Sequence, residues 1–264
     1  MAKYDIIIVA GQSNAAGSGY GDVERSYVPR EDVLCLSAAK HCEDIPGRGK
    51  VVEYLDVPPS ISVAKEHTGK YGTVGDLSLA FAEDYINNSL LGKGRGLLII
   101  REAVGATGFS GGHWGVGNPM HEKMVELTGY ALSLHPENRV VALLWHQGEY
   151  DAAMKTPLDD YKRYMKETVF DLRERLSLPT LPFIAGDFCE DWKMKNSSIT
   201  LPLIAKLREA TEECGYSAFV SSEGLLSNRE ANGGTDDIHF CRASLYEFGH
   251  RYFEAYRSLV GKNA

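Results

Sequence analysis

Five apolar runs punctuate the chain, at positions 4–10, 97–101 (LLIIR), 140–145 (VVALLW), 182–188 (PFIAGDF) and 217–221 (SAFVS). The first contains Ile6-Ile7-Ile8-Val9-Ala10 without interruption. Continuous runs rich in β-branched residues predict strands buried on both faces. Between the runs the apolar positions step by three or four, the helical period. Residues 76–90 carry Leu77, Phe81 and Tyr85 behind Asp76, a favourable N-cap. Residues 119–134 open on Pro119, which suits a first helical turn. Over 158–177 the stripe is Leu158, Tyr161, Met165, Val169, Leu172 and Leu176, and segments 199–214 and 242–259 complete the set. This alternation predicts an α/β protein, a single-domain three-layer α/β/α sandwich with a mainly parallel five-stranded sheet. Residues 18–75 break the pattern, with scattered Gly and Pro and few strong periods; they read as a loop-rich excursion with short elements on the ligand side. Without a repeat, low-complexity tract or linker, one domain over 1–264 is expected.

Composition narrows the function by exclusion. Lys plus Arg number 28 and Asp plus Glu 36, a net charge of −8. That balance argues against nucleic acid as a partner, because phosphate binding needs a basic face. No run approaches the ~20 apolar residues of a membrane span, so no membrane partner is expected. Met1-Ala2-Lys3-Tyr4-Asp5 leads straight into the first run with no signal-peptide pattern. A cytoplasmic location is the expectation, or a secreted one if a leader has been removed. The five cysteines, Cys35, Cys42, Cys189, Cys214 and Cys241, are odd in number and lack C-x-x-C spacing. They suit reduced thiols rather than a disulfide framework.

In open α/β sheets ligands gather beyond the carboxyl ends of the strands. After the first run comes Gly11-Gln12-Ser13-Asn14, and after the second Glu102-Ala103-Val104-Gly105-Ala106-Thr107-Gly108, then a glycine-rich loop with His113 and Trp114. His146-Gln147-Gly148-Glu149-Tyr150-Asp151 follows the third, and Thr235-Asp236-Asp237-Ile238-His239 precedes the last helix. A serine at such a turn is either turn chemistry or a nucleophile.

GQSN, a V-G-x-T loop followed by a tryptophan, WHQGE and D-x-x-H occur in this order from residue 11 to 239. Together they resemble the SGNH/GDSL hydrolase superfamily, a flavodoxin-like fold, and within it the sialate O-acetylesterase-like and acetylxylan-esterase branch, carbohydrate esterase family six. Gln147 stands where most of the superfamily carries Asn, a feature of this branch. The resemblance implies a serine esterase that removes O-acetyl groups from a carbohydrate through an acyl-enzyme, without cofactor or metal. Its substrate would be a small-molecule or oligosaccharide acetyl ester, such as an acetylated xylo-oligosaccharide or sialic acid. By this likeness Ser13 is the nucleophile, His239 the base and Asp236 the group that fixes the imidazole. On sequence alone Asp237 competes with Asp236. The oxyanion would be held by the backbone N–H groups of Ser13 and Gly105 and the side-chain amide of Gln147.

Gln12, Asn14, Trp114 and Glu149 are candidate substrate contacts, Trp114 as a stacking platform. Glu149 and Asp151 also suit structural bonds to nearby backbone, Trp145 suits packing, and His146 suits a satisfied core histidine. A metal-dependent hydrolase built on His146, Glu149, Asp151, Asp236, Asp237 and His239 is one rival. A non-catalytic carbohydrate-binding protein on the same fold is another. Gly11, Gly17, Gly19 and Gly21 match neither nucleotide-binding glycine pattern.

Overall fold

The computed structural model describes residues 2–47 and 49–261. Among them the chain runs β1 (Lys3–Gly11), α1 (Ser13–Ala16), β2 (Val33–Ser37), β3 (Lys40–Ile45), β4 (Gly49–Tyr54), β5 (Ser60–Val63), β6 (His67–Gly69), β7 (Gly72–Val74) and α2 (Leu77–Asn87). It continues as β8 (Arg95–Ala103), α3 (Pro119–Ser133), β9 (Arg139–His146), α4 (Glu149–Ala153), α5 (Leu158–Arg175), β10 (Phe183–Gly186) and α6 (Glu190–Lys195). The last elements are α7 (Ser197–Glu213), β11 (Ser217–Val220), α8 (Asn228–Asn232) and α9 (Arg242–Gly261).

The central sheet has the order β11-β10-β9-β1-β8-β2-β5. All neighbours are parallel except β5, which runs antiparallel to β2. β1 lies in the middle, and its pleat divides two cores. Ile6, Ile8 and Ala10 face one, with residues of α3, α5 and α7; Ile7 and Val9 face the other, with residues of α2 and α9. Asp76 caps α2 by accepting from the Ser78 backbone N–H at 2.8 Å.

The sheet has seven strands rather than the expected five, because β2 and β5 come from the 18–75 excursion. Sequence periodicity misses β5 for a physical reason. All four of its residues are exposed at the sheet edge, so no apolar pattern is required there. The excursion also builds the β3–β4 hairpin, which is fastened beside the strand ends. Buried Glu102, on β8, accepts from Lys40 Nζ at 2.8 Å and from the Tyr54 hydroxyl. His113 Nε2 pairs with the Lys50 carbonyl at 2.8 Å.

Gly11 ends β1 at φ +142°, and a Cβ there would collide with the His146 carbonyl on β9. Gly11→Ala should therefore destabilise the fold by roughly 3 kcal/mol or more, combining backbone strain with a steric clash. Urea unfolding measures it; a loss below about 1 kcal/mol would mean the two strand ends part easily.

Candidate active site

The tight approach of β1 to β9 sets the turn that carries Ser13. Gln12 N–H donates to the His146 carbonyl at 3.0 Å, and α1 begins at the next residue. Ser13 is 9% exposed and lines a cleft of about 470 Å³ that also receives Gln12, Lys50, Gly105, Tyr150 and His239. As the first residue of a helix, Ser13 has a backbone N–H with no intrahelical acceptor. Gly105 lies against it, so that a Cβ at 105 would sit 3.5 Å from Ser13 Cβ.

His239 reaches the same cleft from the loop between α8 and α9. Its Nδ1 is 2.8 Å from Asp236 Oδ1, and its backbone N–H donates to the same oxygen at 3.3 Å. The other Asp236 oxygen accepts from Asn228 Nδ2 at 2.9 Å. Burial pushes the Asp236 carboxyl up, but His239 and Asn228 outweigh it and hold it below the ordinary aspartate range. With Nδ1 committed to this carboxylate, Nε2 is the ring nitrogen left for chemistry. Among the described residues Ser13 Oγ and His239 form no direct hydrogen bond; such contacts often tighten only around a substrate. Asp237 turns away, its carboxylate 2.7 Å from Lys195 Nζ. Asn228 was not a sequence candidate, since its partner lies eight residues on with no spacing rule to mark it.

Asn14 and Glu149 form a layer behind these groups. Asn14 is fully buried, which corrects its reading as a substrate contact. Its Nδ2 donates to Ile238 O at 3.2 Å and its Oδ1 accepts from Phe240 N at 3.2 Å, so it grips the chain on both sides of His239. The same Nδ2 donates to Glu149 Oε1 at 3.0 Å, which lies 3.1 Å from His146 Nε2. Glu149 borders the cleft but is 1% exposed. Burial raises its carboxyl, while His146 and Asn14 pull it below the ordinary glutamate range. In this geometry its Oε1 is structural, tying Asn14 to His146.

The stacking role expected of Trp114 is corrected. Trp114 is fully buried and packs edge-on against Trp145 with centroids 4.8 Å apart, so it offers no face to a sugar. Gln147 is also fully buried and sits directly behind the cleft, its Nε2 3.5 Å from Gln12 Oε1. Its Nε2 donates to Asp151 Oδ2 at 2.6 Å and to the Thr107 carbonyl at 3.3 Å. An amide nitrogen has two hydrogens, so it serves at most two of these three acceptors at once. Asp151 completes that hub by accepting from Phe109 N, Ser110 N and Thr156 Oγ1. The rival metal cluster also separates: His146 pairs with Glu149, and His239 with Asp236. Among the described residues no three His, Cys, Asp or Glu side chains are placed to hold a metal ion together. Nor is any helix among them long and apolar enough to cross a membrane.

The model of the family described as carbohydrate esterase, sialic acid-specific acetylesterase, matches residues 3–258. A relative in Escherichia coli (strain K12), described as a probable 9-O-acetyl-N-acetylneuraminic acid deacetylase, is 25% identical over 227 residues, covering 72% of this chain and 68% of that protein. A probable carbohydrate esterase of Arabidopsis thaliana is 28% identical over 192 residues, covering 68% of this chain and 66% of that one. The crystal structure of NanS matches with a TM-score of 0.76 at 21% identity, covering 99% of this chain and 98% of that chain, a likeness of fold.

Proposed function

The chain belongs to the carbohydrate esterase, sialic acid-specific acetylesterase family, and from that premise we propose that it is a serine esterase that deacetylates a sugar through an acetyl-enzyme. The observation that carries this reading is the meeting of Ser13, Gly105 and His239 in one cleft, with His239 held by an ionised Asp236. Ser13 Oγ attacks the acetyl carbonyl carbon while His239 Nε2 takes its proton. The negative oxygen is received by the N–H groups of Ser13 and Gly105. Collapse breaks the bond to the sugar oxygen, which leaves as an alcohol with the proton from His239. Water then repeats the sequence, releasing acetate and restoring Ser13.

Asn14 is a positioning residue in this scheme, since it joins the nucleophile's turn to both neighbours of the base. For the sugar, an O-acetylated sialic acid is favoured. Lys50 lines the cleft, and its ammonium is held at 2.6 Å by Asp44, a largely exposed carboxylate. A pair whose carboxylate is this exposed is weak enough to yield to the carboxylate of a sialic acid.

The test pairs two measurements on the whole chain. A serine-reactive fluorophosphonate should label Ser13, located by peptide mass spectrometry. Acetate should be released from O-acetylated sialic acid faster than from acetylated xylo-oligosaccharides. Hydrolysis that persists with Ser13 unlabelled and stops on chelation would overturn the serine mechanism. A preference for the neutral sugar would overturn the substrate assignment alone.

A further inference from the structure

With Trp114 in the core, the stacking surface that the sequence suggests is left without a residue. Among the side chains that line the catalytic cleft, Tyr150 alone carries a phenyl or indole ring. We infer that Tyr150 is the platform on which the pyranose ring of the substrate lies, and that it sets the preference for sugar esters over simple ones. This rests on the serine-esterase reading above.

Tyr150 is the second residue of α4, and Ala153, three residues on along the same helix face, lines the cleft with it. Glu149 and Asp151 on either side are buried, whereas Tyr150 is only half-buried and keeps part of its surface in the cleft. Its backbone N–H donates to Gln12 Oε1 at 3.1 Å, which ties it to the residue before the nucleophile.

The glycine-rich loop makes room for the ring. A Cβ at Gly108 would lie 2.6 Å from Tyr150 Cδ1, and one at Gly111 would lie 3.2 Å from its hydroxyl. Asp151 fastens that loop to α4 by accepting from the backbone N–H groups of Phe109 and Ser110. His113, from the same loop, stands perpendicular to the phenol with centroids 5.8 Å apart. Its Nε2 donates to the Lys50 carbonyl at 2.8 Å, so one imidazole braces both Tyr150 and the strand that carries Lys50. A ring fixed in this way has little freedom left to lose when a ligand covers it. The cleft then offers an acidic sugar two kinds of contact: an apolar face at Tyr150 for the C–H groups of its ring, and a cation at Lys50. A simple alkyl acetate brings its acetyl group to Ser13 but has no ring to lay on Tyr150.

Three variants separate the aromatic face from bulk and hydroxyl. Tyr150→Phe keeps the face, Tyr150→Leu keeps apolar bulk without it, and Tyr150→Ala removes both. Steady-state kinetics compare ethyl acetate with O-acetylated sialic acid and with acetylated xylo-oligosaccharides. Both sugars carry a pyranose ring, so the expectation holds for whichever of them the wild type prefers. The ratio of kcat/KM for that sugar ester to kcat/KM for ethyl acetate should fall about tenfold in Tyr150→Leu and Tyr150→Ala, through a higher KM for the sugar. In Tyr150→Phe it should stay within about twofold of wild type. Circular dichroism reports the folding of each. A ratio within about twofold of wild type in folded Tyr150→Leu and Tyr150→Ala proteins would overturn the platform. So would an equal fall in Tyr150→Phe, which assigns the effect to the hydroxyl, or a loss of kcat alike on both esters, which makes Tyr150 a support of the Gln12 turn. Fluorophosphonate labelling of wild-type Ser13 separates the two levels: labelling with an unchanged ratio removes the platform alone, whereas no labelling removes the serine reading and the platform with it.

Discussion

Ser13→Ala should leave a folded protein that hydrolyses acetyl esters about 10⁴- to 10⁶-fold more slowly than wild type. Stability is expected to survive because Ser13 Oγ makes no hydrogen bond among the described residues, so its removal orphans no buried partner. The contacts that shape the turn use the Ser13 carbonyl, which accepts from Gly17 N at 3.0 Å and Ser18 Oγ at 2.9 Å. Alanine keeps that carbonyl, and it is the best helix former at the start of α1. The rate loss is large because the nucleophile and base act as a unit, and without the hydroxyl the base has no proton to take. Residual catalysis of about 10³- to 10⁴-fold over water would come from the oxyanion donors and substrate binding alone. Initial rates on an acetyl ester, with thermal unfolding as the control, make the comparison. Turnover within tenfold of wild type in a folded variant would remove Ser13 from the chemistry.

The parts of the fold legible in the sequence are those that carry a continuous apolar run or a helical period. β1, β8, β9, β10 and β11 sit where the apolar runs lie, and the five long helices where the three- and four-residue steps lie. The seven-stranded sheet was not legible, because β5 is an edge strand with all four residues exposed, and β2, though Val33 and Leu36 are buried, is a short run inside the aperiodic excursion. Strand pairing at that edge is carried by backbone N–H and C=O groups, which every sequence possesses. The same limit hides the β3–β4 hairpin, whose attachment depends on two cross-chain partners of Glu102 rather than on any local pattern.

The site was legible to the extent that topology collects strand ends. Ser13, Gly105 and His239 do converge, from residues more than two hundred positions apart. Polar residues adjacent to them in sequence were harder to judge, since a turn sends neighbouring side chains in opposite directions. Ser13 faces the cleft while Asn14 faces the interior; Gln12 lines the cleft while Gln147 sits directly behind it. Trp114 illustrates the remaining ambiguity. A glycine-rich loop suggests exposure, yet the loop folds inward over Trp145 and closes the core. Residue type is shared by the two outcomes, and only packing distinguishes them.

Asp236→Asn should lower turnover by about 10⁴, and Asp237→Asn should change it by less than about twofold. The two carboxylates are adjacent in sequence, but their partners differ. Asp236 accepts on both oxygens, from His239 on one and Asn228 on the other. An asparagine has a single acceptor, so it can satisfy one of these donors only. If its oxygen faces His239, its NH₂ opposes the NH₂ of Asn228. If it flips, its NH₂ faces Nδ1 and selects the tautomer whose proton sits on Nε2. That imidazole cannot take the proton of Ser13. Either outcome also removes the negative charge that steadies the imidazolium. Among the described residues the Asp237 carboxylate pairs with Lys195, which is about half exposed and has Asp191 at 3.3 Å as a second partner. A surface pair of this kind is worth about 0–1 kcal/mol and lies outside the cleft. The measurement is kcat for both variants on one acetyl ester, after circular dichroism confirms the fold. Equal losses, or the larger one in Asp237→Asn, would show that the imidazole is oriented by a different carboxylate from the one 2.8 Å from its Nδ1.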